Sequence, residues 1–171
     1  MSKDYTFNPG DFVVYPAHGV GQVSERQTAS VGGQNVDLIA IQFTKDKLTR
    51  RIPSNDAMNK GLRAVVSPAV METVVSTLAE KPKTKRLPWA KRSAEYVAKI
   101  SSGDPISLAE VVRDLYRDPA LANQTYSEKQ LFEKAFSRLA PEYAVVQKIT
   151  EQEATCQLEA VLQGSLEKVS T

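Results

Sequence analysis

The apolar residues of this chain change their spacing once, near residue 66, and that change dictates two units of different class. Before it, short β-branched and aromatic runs are separated by glycine, proline and asparagine, the pattern of strands joined by tight turns. Phe12-Val13-Val14-Tyr15 follows Pro9-Gly10-Asp11 and closes at Pro16. Gly19-Val20-Gly21-Gln22-Val23 alternates polar and apolar residues. Val31-Gly32-Gly33-Gln34-Asn35 predicts a hairpin turn, because paired glycines accept positive φ. Val36 to Phe43 is the strongest strand, Lys45-Asp46-Lys47 the next turn, Leu48 to Pro53 a strand ended by proline, and Arg63 to Val66 a closing strand. Short strands at this spacing predict a small, strongly bent antiparallel barrel.

From Ser67 the spacing becomes helical. Ser67-Pro68 is an N-cap followed by proline at the first helical position. Val70, Met71, Val74, Val75 and Leu78 then recur on one face, and Pro82 ends the helix. Residues 80–88 form a charged linker. A second helix is expected from Pro88 to Gly103. A third follows Asp104-Pro105, with Leu108, Val111, Val112, Leu115 and Tyr116 on one side. Ser127-Glu128-Lys129-Gln130 reads as a capping box for a long helix lined by Leu131, Phe132, Ala135, Phe136, Leu139, Tyr143 and Val146. Thr150-Glu151-Gln152-Glu153 repeats that signal for a last helix, with Gly164 as its stop. The expected fold is α+β: residues 1–66 a small antiparallel β-barrel, residues 67–171 an all-α bundle.

Composition works mainly by exclusion. No stretch reaches the roughly 18 apolar residues of a membrane span, and the N-terminus lacks the apolar core of a secretory signal. Cys156 is the only cysteine, so a disulfide within the chain and a cysteine-rich zinc site are excluded; its spacing suggests a small buried residue on a helix. His18, the only histidine, lies in a Pro-Ala-His-Gly turn without a nearby serine or cysteine nucleophile. No paired carboxylates and no phosphate-cradling glycine loop occur. We expect a cytoplasmic, monomeric protein without cofactor or metal, and not an enzyme.

The net charge of +2 conceals an uneven distribution: residues 1–66 carry +2, 67–80 carry −2, 81–99 carry +6 and 100–171 carry −4. Local field rather than net charge draws a polyanion. Lys81, Lys83, Lys85, Arg86, Lys91 and Arg92 fall within twelve residues that contain no acid, with Trp89 among them. Such a stretch is either a solvated linker or a phosphate-binding segment whose aromatic wedges into a base step. Trp89 itself falls in line with Tyr96, Val97 and Ile100, so helical spacing also permits a core position. Lys129 and Lys134 have acids beside them, a solvated face as readily as a phosphate contact. Arg50 and Arg51 are adjacent on one strand and therefore point to opposite faces. Charges there protect an edge strand from aggregation or mark it for pairing with another protein.

The run Gly10-Asp11-Phe12-Val13-Val14-Tyr15-Pro16-Ala17-His18-Gly19-Val20-Gly21 resembles the opening of the CarD/CdnL transcription regulators and of the polymerase-interacting module of transcription-repair coupling factors. Leu48-Thr49-Arg50-Arg51-Ile52-Pro53 is a second point of similarity. Further ones are Trp89-Ala90-Lys91-Arg92, Ser102-Gly103-Asp104, Ala109 through Tyr116 and Leu121 through Ala135, so the likeness spans nearly the whole chain. The resemblance implies a Tudor-like N-terminal domain that binds the β subunit of bacterial RNA polymerase through an edge strand, and a helical domain that binds promoter DNA without a sequence code. It implies polymerase contacts by Leu48, Arg50, Arg51 and Arg26, with Arg51 at the family's interface arginine. Ala29 replaces a second interface arginine, and Arg26 lies nearby. It implies DNA contacts by Trp89 as minor-groove wedge, with Lys85, Arg86, Lys91, Arg92, Lys129 and Lys134. Ala94 stands where a relative has lysine. The expected outcome is a stabilised open promoter complex. A nucleic-acid-binding module without a polymerase partner is the alternative.

Overall fold

The computed structural model describes residues 7–16, 18–43, 47–83, 86–118 and 124–167. It divides into two compact units, Met1–Val65 and Val66–Thr171.

The first unit contains strands β1 (Phe12–Tyr15), β2 (Gly19–Val31), β3 (Gln34–Phe43), β4 (Thr49–Pro53) and β5 (Arg63–Ala64), with a one-turn helix α1 (Ser54–Asn59) between the last two. All pairings are antiparallel, in the order β4-β3-β2-β1-β5. β2 continues well past Val23, through a register shift between Val23 and Glu25, to meet β3 at the Gly32-Gly33 turn. Both turn glycines have positive φ, +59° and +81°, which a β-carbon would strain. Val13, Tyr15, Val23, Ile39, Ile41 and Phe43 form the core of this unit, closed by Phe7, Leu62 and Ala57 of α1. Gly21 is fixed by close approach: a β-carbon there would lie 2.5 Å from Ile41 Cγ2. The α1 turn follows Pro53 and carries no apolar period, so spacing could not announce it.

The second unit contains α2 (Pro68–Ala79), α3 (Trp89–Ser102), α4 (Pro105–Leu115), α5 (Tyr126–Gln147) and α6 (Glu151–Glu167). The expected caps of α2 and α4 are in place: the Ser67 hydroxyl accepts from the Val70 N–H, and the Asp104 carboxylate from the Ser107 N–H. The α5 capping box is not Ser127/Gln130. It is Thr125/Glu128, two residues earlier, with reciprocal bonds of 3.2 Å. A glutamate answers the unpaired amides and partial positive charge of a helix start better than a neutral glutamine. The α6 box at Thr150 and Glu153 forms as expected. Gly164 does not stop α6, because the next residues are anchored. Ser165 is buried and donates its hydroxyl to the Glu80 carbonyl, and Leu166 packs on the core. Cys156, expected to be buried, is exposed.

Leu78, Ile100, Val111, Leu115, Leu139, Leu158 and Leu162 centre the helical core. Three charged residues lie inside it. The fully buried Glu142 accepts the Val66 N–H at 3.0 Å and so holds the start of the unit. Arg113 and Asp114 interrupt an otherwise apolar run and are buried with it. Among the described residues no helix is long and apolar enough to cross a membrane.

Candidate nucleic-acid and polymerase interfaces

Among the described residues β4 is an edge strand, paired with β3 on one side only. The Phe43 N–H donates to the Leu48 carbonyl at 2.9 Å, which fixes the alternation of the ladder. Arg50 and Ile52 therefore turn their peptide groups toward β3, while Thr49 and Arg51 turn theirs outward. Pro53 ends this outward rail, where its missing N–H removes nothing from the β3 ladder. The free rail is thus short, polar and available to an incoming strand.

The side chains around it divide between the two faces. Arg51 lies across Ala40 from Glu25 and approaches it to 4.0 Å, both exposed. Arg50 pairs with Ile41, so it stands on the core-facing side at the margin of the sheet. Arg26 sits opposite Ile39 on that same side and is bonded to Asp37 at 3.3 Å, an engaged arginine on the opposite face from Arg51. Leu48, 50% exposed, precedes the strand. Ala29 pairs with Val36 near the hairpin tip, away from the β4 edge.

In the helical unit the basic stretch is redistributed by tertiary structure. Lys85 lies outside the described residues. Arg86 is exposed just before α3, and Lys91 is exposed on its first turn. Lys83 is anchored by its backbone: its amide donates to Asp114 Oδ1 at 2.9 Å, while its exposed ammonium lies 3.7 Å from Glu80. Asp114 also accepts Arg113 Nε at 2.8 Å, and Arg113 reaches Glu80 at 3.1 Å. This network, which spacing within the basic stretch could not reveal, ties the linker to α4. Lys129 and Lys134 are exposed on the early turns of α5, with Lys129 4.0 Å from Glu133.

Trp89 is the first residue of α3. Its ring is partly buried, resting on the edge of the helical core without entering it. Tyr96 lies beneath it, with ring centroids 6.4 Å apart. Arg92, one helical turn on, places its guanidinium 5.6 Å from the indole and 5.9 Å from the Tyr96 ring, and donates to the Tyr96 hydroxyl at 3.3 Å. Two aromatic rings and a hydrogen bond hold the cation beside the indole. Arg92 Nε is buried without a protein acceptor. Lys91 is about 200° around the helix from Trp89, on the far side of α3, so of the two cations adjacent in sequence only Arg92 lies beside the ring. Val97, expected in line with Trp89, is 46% exposed, while Tyr96 and Ile100 are buried. No side chain caps α3, because Pro88 occupies the N-cap. Its first amides are therefore available to an anion such as a phosphate.

Among the described residues no cluster of histidine, cysteine, aspartate or glutamate is arranged to hold a metal. His18 is a turn residue whose amide donates to the Tyr15 carbonyl and whose ring stacks on Tyr15.

Comparison with known proteins accounts for both units. Residues 7–66 match the CarD-like/TRCF RID domain, and residues 73–159 match the CarD, C-terminal domain. The chain is 27% identical over 147 residues to a curated protein of Bacillus subtilis (strain 168), "Putative transcription factor YdeB", covering 86% of this chain and 96% of that one. It is also similar to the 72-residue N-terminal domain of Myxococcus xanthus CarD, solved by NMR. That likeness has 29% identity, 34% coverage of this chain, 79% of that chain and a TM-score of 0.30. With both domain types in order, the chain belongs to the CarD family, a family of transcription regulators with an RNA polymerase-interacting N-terminal domain and a helical C-terminal domain.

Proposed function

We propose that the β unit docks on the β subunit of bacterial RNA polymerase through the free edge of β4, and that the helical unit thereby reaches promoter DNA at the upstream margin of the melted bubble. The protein acts by binding rather than catalysis, as a monomer in the cytoplasm, associated with the nucleoid through polymerase. The observation that carries this reading is Trp89. It stands at the uncapped start of a helix, outside the core, with one face braced by Tyr96 and Arg92. A rigid, partly exposed ring with a cation held against it is suited to unstack a base step from the minor groove while its neighbours meet phosphates. Arg86, Lys91 and Arg92 form the nearest set, and Lys129 and Lys134 offer a second line of positive charge from α5.

Tethering supplies the affinity that such a small surface lacks, by raising the local concentration of DNA. Groove shape and phosphate charge suffice for recognition, so no base code is required. A contact made only with separating strands, worth about 1–2 kcal/mol, shifts the open–closed equilibrium about 5- to 30-fold. Co-purification with polymerase tests the division of labour. Arg51→Glu is expected to lose polymerase and Trp89→Ala to retain it. Retention by Arg51→Glu, or loss by Trp89→Ala, contradicts the assignment.

A further inference from the structure

On the core-facing side of the β4 edge, α1 packs against β3 and β4 and leaves an open hollow of about 330 Å³. Its floor is aromatic: the buried Tyr15 ring and the His18 ring are stacked 5.6 Å apart and 12° from parallel, with Phe43 behind. Its rim is cationic. Arg50 reaches it from β4 and Lys60 from the end of α1, against one acid, Asp56; Arg51 borders it from β4 with its guanidinium toward Glu25 on the other face. Among the described residues, neither Arg50 nor Lys60 has an ion-pair or side-chain hydrogen-bond partner. The charges of Arg50 and Lys60 at the hollow are thus left without an ion-pair partner among the described residues.

We infer that this hollow is the specificity pocket for the strand that pairs with β4, and that it receives a carboxylate side chain of that strand. The inference rests on the docking reading above and extends it to the second face of the sheet. A strand added to an edge gains affinity from main-chain bonds and specificity from pockets for alternate side chains. On the Arg51 face, Glu25 already lies close to the arginine. On the α1 face, side chains of an incoming strand pass over the hollow. A carboxylate there meets Arg50 and Lys60 from two sides, above flat rings that keep water from beneath it. An apolar side chain would leave both cations uncompensated, and a basic one would be repelled. The interface thus includes a helix turn that lies outside the arginine-containing strand.

Purified bacterial RNA polymerase core enzyme is the probe, with the full-length chain immobilised and binding followed at low and moderate salt. Lys60→Glu and Arg50→Glu are each expected to weaken binding by about tenfold or more, and Lys60→Ala by less, with a shallower salt dependence than the unaltered chain. Lys60→Arg retains binding. Lys60 is exposed, so circular dichroism and melting of the variants should match the unaltered chain. If Arg51→Glu abolishes binding while Lys60→Glu and Arg50→Glu stay within about twofold of the unaltered chain, the pocket is overturned and strand docking stands. If the unaltered chain does not bind polymerase, docking falls and the pocket with it.

Discussion

Removing the Asp114 carboxylate should unfold far more than its size suggests. Asp114 and Arg113 are 8% and 4% exposed and joined at 2.8 Å, and the same carboxylate oxygen accepts the Lys83 amide. In Asp114→Ala, the buried guanidinium keeps only Glu80, at 3.1 Å, whose side chain is 52% exposed and so shares its charge with solvent. Stripping one partner from a buried pair costs about 3–5 kcal/mol. The surviving Glu80 contact places this case at the lower end, and the released Lys83 amide adds about 1 kcal/mol. A loss of about 3–4 kcal/mol corresponds to a fall of roughly 15–30 °C in the melting of a domain of this size. Far-UV circular dichroism during thermal and urea unfolding reads it directly. The paired change Arg113→Met with Asp114→Leu should recover most of the loss, because it removes both charges together. A cost below about 1 kcal/mol for Asp114→Ala, or no recovery in the double variant, would refute the reasoning that the pair is a mutually dependent buried unit.

Two further outcomes follow from packing and titration. Gly21→Ala forces a β-carbon to within 2.5 Å of Ile41 Cγ2 and 3.0 Å of Phe43 Cδ1 and should cost the β unit about 1–3 kcal/mol, seen as a lower urea midpoint with unchanged slope. The phenols of Tyr116 and Tyr143 are held above the usual tyrosine value of 10.0 by burial, with Glu159 and Asp118 adding to the effect at Tyr116. Above pH 10 the unfolded chain has released phenolic protons that the folded chain still binds. Stability of the helical unit should therefore decline as pH rises through 10, and level off only above the folded-state value. Urea midpoints at pH 8, 10 and 11 check this, and Tyr116→Phe should lessen the decline.

Element type was legible wherever period and punctuation agreed. The β1 run, the Gly32-Gly33 turn, the Ser67 and Asp104 caps and the Thr150 box are local signals that tertiary structure left untouched. The α5 start was not, because Thr125/Glu128 and Ser127/Gln130 both satisfy the box and only the relative strength of glutamate and glutamine decides. Gly164 misled because Ser165 is anchored from another helix, a contact between residues far apart in sequence. The same limit governs the sites. Trp89 on a face with Tyr96 was visible from helical spacing, but whether the ring enters the core depends on how α3 lies against the bundle. The basic stretch looked uniform, yet the Lys83 amide is bonded to Asp114, 31 residues on. Lys60 and the hollow gave no linear signal, since strand β4, helix α1 and the His18 turn come together only in the fold.

The partly exposed indole of Trp89 is proposed to act on separating strands. The direct measurement is the lifetime of the open promoter complex formed by purified polymerase, with no addition, with this protein, and with its Trp89→Ala and Trp89→Phe variants at saturating concentration. The unaltered protein is expected to extend the lifetime about 5- to 30-fold, alanine to abolish the gain while still binding polymerase, and phenylalanine to keep part of it. Equal lifetimes with the unaltered protein and the alanine variant would contradict the wedge.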